Sequence, residues 1–114
     1  MNEDMNLDQH SLVHAWQQQL PDYLEPGDSV QVEADLGNPQ GLRIHINASG
    51  RQFYSFDFEC SYKDAREVSV QLVDVERDGV TVNERSDKIQ ELTEDYVRHL
   101  HECAQALHRI TKPN

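Results

Sequence analysis

Leu12, Val13, Trp16 and Leu20 recur at the spacing of one helical face, which predicts an amphipathic helix near the start of the chain. Asn6-Leu7-Asp8-Gln9 reads as its beginning, with Asn6 accepting a backbone bond and Gln9 reaching back from three residues on. His10, His14, Gln17 and Gln18 fall away from the apolar face. Pro21 ends the regular helix near Leu20, and Glu25-Pro26-Gly27-Asp28 is a turn.

The period then changes from helical to alternating. Val30, Val32, Ala34 and Leu36 share one face of a first strand, and Gly37-Asn38-Pro39-Gln40-Gly41 forms a loop. Leu42, Ile44, Ile46 and Ala48 repeat the alternation up to Ser49-Gly50, and Tyr54, Phe56, Phe58, Cys60 and Tyr62 continue it as an aromatic third strand. After the connection at Lys63-Asp64-Ala65-Arg66, Val68, Val70 and Leu72 begin a fourth strand. Its alternation shifts by one, to Val73 and Val75, which signals a bulge. Asp78-Gly79 is a hairpin turn leading to Val80 and Val82. Asp87 with Gln90 caps a second helix, whose stripe runs through Ile89, Leu92, Tyr96, Leu100, Cys103, Leu107 and Ile110 before Pro113.

This order predicts an α+β fold: an N-terminal helix, a five-stranded antiparallel meander sheet and a long C-terminal helix. Clean alternation leaves one sheet face polar, so both helices are expected on the other face, with Trp16 and Tyr96 in the shared core. Residues 1–114 are read as a single domain, with residues 1–5 disordered.

The same alternation composes the polar face. Pairing Ile44 with Phe56 places Arg43 opposite Asp57 and His45 opposite Ser55; pairing Leu36 with Leu42 places Asp35 beside Arg43 and Glu33 beside His45. Arg43 then sits between two carboxylates, with Glu59 and Gln71 nearby. Phe53 and Val73 are expected to point outward as well, making the face stickier than a purely solvated one. Glu33, Asp35, Arg43, His45, Asp57 and Glu59 are the candidate binding residues. Cross-strand charge pairs of this kind also serve simply to register a sheet.

Charge narrows the partner. The chain carries 21 Asp and Glu against 10 Lys and Arg, for a net charge of −11, and residues 1–27 contain no Lys or Arg. Phosphate backbones and anionic membrane surfaces need the opposite sign, so neither nucleic acid nor membrane is an expected partner. No apolar run approaches a membrane span, and the acidic start lacks the features of a signal peptide. The two cysteines, Cys60 and Cys103, form no metal or disulfide pattern, which points to free thiols and a cytoplasmic location. Asn47-Ala48-Ser49 matches the glycosylation pattern, which matters only in a secreted chain.

Catalytic signals are sparse. No phosphate-binding glycine motif or HExxH occurs, and no cofactor is implied. Asp57 and Glu59 point to one side of a strand without a cleft to work in. A thiol nucleophile needs partial exposure and a positive surrounding, whereas both cysteines lie on predicted buried faces. His99 and Cys103, four apart on the second helix, can share a metal ion and are the metal candidates; His101 with His108, and His10 with His14, share helix faces in the same way. The resulting expectation is a small acidic non-enzymatic protein-interaction module that neutralises or escorts a basic protein partner. It is also expected to form a homodimer, through a sheet edge at the first strand or the last, or through the exposed sheet face. The alternative is a small-molecule or metal-binding domain with a pocket between sheet and helices.

Overall fold

The computed structural model describes residues 7–48, 54–78, 80–82 and 86–112. Helix α1 spans Gln9–Gln19 and runs into a 3-10 turn at Leu20–Tyr23 that contains Pro21. Five strands follow, β1 Ser29–Ala34, β2 Gly41–Asn47, β3 Tyr54–Tyr62, β4 Val68–Arg77 and β5 Val80–Thr81. Helix α2 spans Asp87–Ala106, and a short α3 covers His108–Thr111. The strands pair antiparallel in chain order, β1-β2-β3-β4-β5, as an open meander. This is the α+β architecture expected from the alternation. The expected disorder of residues 1–5 and the expectations for Asn6, Ser49, Gly50, Phe53, Gly79 and Pro113 lie outside the described residues.

One apolar cluster joins the helices to a single sheet face. Leu12, Trp16 and Leu20 come from the first helical segment, Val32, Leu42, Ile44, Ile46, Phe56, Phe58, Cys60, Tyr62, Val68 and Val75 from the sheet, and Ile89, Tyr96, Leu100 and Cys103 from α2. Trp16 meets Tyr62 edge-on and donates its indole N–H to the Tyr62 hydroxyl at 3.0 Å, so a buried polar tip is satisfied inside the core. Tyr96 packs on Phe56 with ring centroids 5.1 Å apart.

The bulge falls where the alternation shifts. Asp57 pairs with Asp74 and Phe58 with Leu72, leaving Val73 as the extra residue. Val75 then turns fully into the core, while Val73 is 45% exposed. Asp78 adopts the left-handed region at φ 56°, the conformation a tight hairpin turn demands.

Several local expectations are corrected. Leu36 is not on the core face but 96% exposed, because β1 stops at Ala34. The Asp35 carboxylate accepts from the Gly37 N–H at 3.0 Å and the Asn38 side-chain oxygen from the Gln40 N–H at 3.0 Å; these turns satisfy the backbone locally and end the strand early. The register therefore differs by two residues from the expected one: Ala34 pairs with Leu42, and Ile44 with Phe58. A two-residue slide keeps every side chain on its face, so alternation alone does not detect it. Asp8 caps α1, accepting from the Ser11 N–H at 2.8 Å, and Ser86 rather than Asp87 caps α2. The stripe to Ile110 is broken at Leu107, beyond which the buried Thr111 hydroxyl donates to the Ala65 carbonyl at 2.8 Å.

Two glutamines of α1 have roles that periodicity does not reveal. The Gln9 side-chain amide donates to the carbonyls of Asp35, Asn38 and Gly41 at 2.8–3.0 Å, locking the β1–β2 turn. Gln17 donates to the Val30 carbonyl at 3.0 Å and accepts from the Val32 N–H at 2.8 Å. Its amide thus occupies the outer edge of β1 as a neighbouring strand would.

Replacing Gln17 by Ala strips both edge bonds, and a destabilisation of roughly 1–2 kcal/mol is expected by chemical denaturation. Gln18→Ala, on the exposed side of the same helix, should change stability by less than about 0.5 kcal/mol. Burial also pushes the Cys60 and Cys103 thiols from 9.0 up to about 12 and raises the Tyr62 and Tyr96 phenols. In the unfolded chain the thiols ionise from about pH 9.0 while the folded ones stay neutral. The stability associated with the neutral thiols is therefore fully present below that pH and lost as pH rises towards 12. The thiols add no slope to the denaturation midpoint below pH 9.0 and lower it above that pH, and Cys60→Ala should weaken that fall.

Candidate functional site

The face of the sheet opposite the helices carries the side chains that alternate with the core residues. Gln31 and Glu33 come from β1, Arg43 and His45 from β2, Asp57 and Glu59 from β3, and Val73 and Asp74 from β4. Together with the backs of Ile44 and Phe58 they line a shallow hollow of about 530 Å³. β-strand alternation puts these residues on one side, and the bulge at Val73 adds an apolar side chain to an otherwise polar surface.

Two polar side-chain contacts cross it. Arg43 Nη2 lies 3.3 Å from Glu59 Oε2, its directly paired neighbour, with both side chains substantially exposed. His45 Nδ1 lies 2.6 Å from Asp57 Oδ1, again a direct partner in the ladder. Glu33 stands opposite Arg43 on the other flank. Arg43 is accordingly placed between two carboxylates as expected, but they are Glu33 and Glu59, and Asp57 belongs to His45. Asp35 does not join the face, since its carboxylate holds the β1–β2 turn. Gln31 takes the place opposite His45 that the slid register had given to Glu33.

Asp74 is the residue that periodicity missed. It pairs directly with Asp57 across the bulge, and the Thr81 hydroxyl donates to it at 3.4 Å. The shift of alternation at Leu72–Val73 was the available signal, because a bulge returns the following odd-numbered valine to the core and Asp74 to the open side. Like charges directly opposite one another disfavour the sheet, so the Asp57–Asp74 pair works against registration rather than for it.

The metal candidates are separated by environment. His99 Nδ1 is 2.9 Å from Glu102 Oε1, whereas Cys103 is wholly buried with a thiol raised by burial. Among the described residues no group of three or more His, Cys, Asp or Glu side chains is arranged to hold a metal ion. Cys60 and Cys103 are free and buried. His10, His14 and His101 are exposed on their helices. Between sheet and helices, Phe56 stacks with Phe58 and both meet Tyr96, so the aromatic strand is packed by its neighbours.

No family model, curated protein or solved structure matches the chain. Among the described residues no helix is long and apolar enough to cross a membrane.

Because the Arg43–Glu59 pair is exposed, Arg43→Ala should lower stability by only about 0.5 kcal/mol. Phe56→Ala, which empties a wholly buried position, should cost roughly 3–5 kcal/mol. Urea titration of the two variants beside the parent chain measures both.

Proposed function

We propose that this chain is a protein-interaction module whose open sheet face takes a basic segment of a partner protein, neutralising or escorting it. The observation that carries this reading is the charge arrangement in the hollow. Glu33, Asp57, Glu59 and Asp74 outnumber Arg43 and His45 there, and Asp57 and Asp74 stand directly opposite each other. A face whose charges only registered the strands would pair opposite signs throughout. A Lys or Arg brought between Asp57 and Asp74 relieves their repulsion and gains charge-assisted hydrogen bonds.

Other features support the same reading. Val73 offers an apolar contact at the rim, suited to the aliphatic stem of a long basic side chain. The half-exposed Arg43 provides an anchor of the type that dominates interface energetics, and the net charge of −11 steers cationic partners towards the surface. Both thiols are free, which suits a reducing, cytoplasmic setting. The role is read as non-enzymatic: the ion pairs of the face are engaged with each other across the strands, and the hollow is broad and shallow.

The test is retention of native-host proteins and of a Lys/Arg-rich probe peptide by the immobilised chain. Binding at low salt should weaken steeply as ionic strength rises. The Asp57→Asn/Asp74→Asn double variant should lose about tenfold or more in affinity for the peptide while remaining folded. Retention that ignores salt, or that survives this double variant, overturns the reading.

A further inference from the structure

The two edges of the sheet are treated differently. In β3, the Tyr54 carbonyl accepts from the Ala48 N–H at 2.9 Å and the Tyr62 N–H donates to the Gln40 carbonyl at 3.0 Å. These residues therefore direct their backbone groups to the β2 side. Backbone direction alternates along a strand, so Asp57, Glu59 and Ser61 direct theirs to β4, and their ladder partners Asp74, Gln71 and Ser69 point back. The N–H and C=O groups of Val68, Val70 and Leu72 consequently point away from the sheet.

Strand β5 does not reach them. It pairs with Glu76 and Arg77, and the Val82 N–H donates to the Val75 carbonyl at 3.0 Å. Among the described residues no backbone group bonds to the outer side of Val68, Val70 or Leu72. At the opposite edge Gln17 takes the Val30 carbonyl and the Val32 N–H. A cleft of about 260 Å³, lined by Arg66, Val68, His101 and Gln105 among others, lies between the start of β4 and α2.

The segment Val68-Ser69-Val70-Gln71-Leu72 contains no charge and no proline, in a chain of net charge −11. Exposed edges are ordinarily protected by one or the other. The segment is also self-complementary. Set antiparallel about Val70, two copies place Val70 against Val70, Val68 against Leu72 and Ser69 against Gln71, so apolar meets apolar and polar meets polar.

We propose that the chain self-associates through this β4 edge, two copies pairing antiparallel about Val70 to form a sheet continuous across both. The homodimer expected through the first or last strand is thereby assigned to neither: β1 is capped by α1, and β5 is too short to cover β4. The inference does not depend on what the open face binds, and its salt response separates the two. Self-association of two chains of net charge −11 should tighten as salt screens their repulsion, whereas capture of a basic partner weakens.

Sedimentation of the full chain across the micromolar range tests this, with the expected species at twice the chain mass of 13.2 kDa. Val70→Pro removes an outward N–H, together with some core packing of the valine, and spares the β3–β4 ladder; it should weaken self-association by about tenfold or more. Val70→Cys places two thiols at a directly paired position, about 5.5 Å apart at Cα and within disulfide range. Mild oxidation should then yield a covalent dimer, since Cys60 and Cys103 are buried. A monomer at every concentration, a dimer unaffected in folded Val70→Pro, or a dimer that Val70→Cys does not cross-link would each overturn the proposal. If Val70→Pro does not fold, the cross-link decides.

Discussion

The aromatic row of β3 is where both helices are anchored. Tyr62 receives the Trp16 indole N–H inside the core, and Phe56 and Phe58 receive the Tyr96 ring. The first contact holds α1 and the second holds α2, so the orientation of each helix on the sheet is tied to one strand. Aromatic side chains bury large areas in preferred geometries, and such a row leaves few alternative placements. Once α1 is held there, Gln9 and Gln17 come within reach of the β1–β2 turn and the β1 edge. The helices cover one face of the sheet, so the polar side chains that alternate with the core lie on the other.

Placing α1 in this way makes the sheet asymmetric. A side-chain amide carries a donor and an acceptor at the spacing of a peptide group, and Gln17 uses both on alternate residues of β1. Two backbone groups of that edge are thus satisfied without a further strand. The other edge ends in a β5 of two residues, and among the described residues no backbone bond reaches the outer side of the uncharged stretch of β4 beside it. The asymmetry comes from helix placement, not from any difference in strand propensity between β1 and β4, both of which are rich in valine.

On the open face, the bulge has the largest effect. By inserting Val73, it returns Val75 to the core and sets Asp74 against Asp57. Without the extra residue the partner of Asp57 would be a different side chain. One inserted residue thus adds a carboxylate to a face that already carries Glu33, Asp57 and Glu59, at the cost of a local electrostatic conflict.

Much of this was legible in the amino-acid order. Periods of 3.6 and 2 located both helices and all five strands, assigned Ile44, Phe56 and Trp16 to the core, and put Arg43, His45, Asp57 and Glu59 on one open side. The break in alternation at Leu72–Val73 located the bulge. These are local properties: the face on which a side chain lies follows from its parity within its own element. The pairings were decided elsewhere. A slide of two residues preserves parity, so the choice of Glu59 over Asp57 for Arg43 rests on the turns at Asp35 and Asn38 that stop β1 at Ala34. The capping by Gln9 and Gln17 rests on α1 lying beside β1, and the Asp57–Asp74 contact on the strand opposite the bulge. Each depends on residues brought together by chain closure, which no periodicity within a single element encodes.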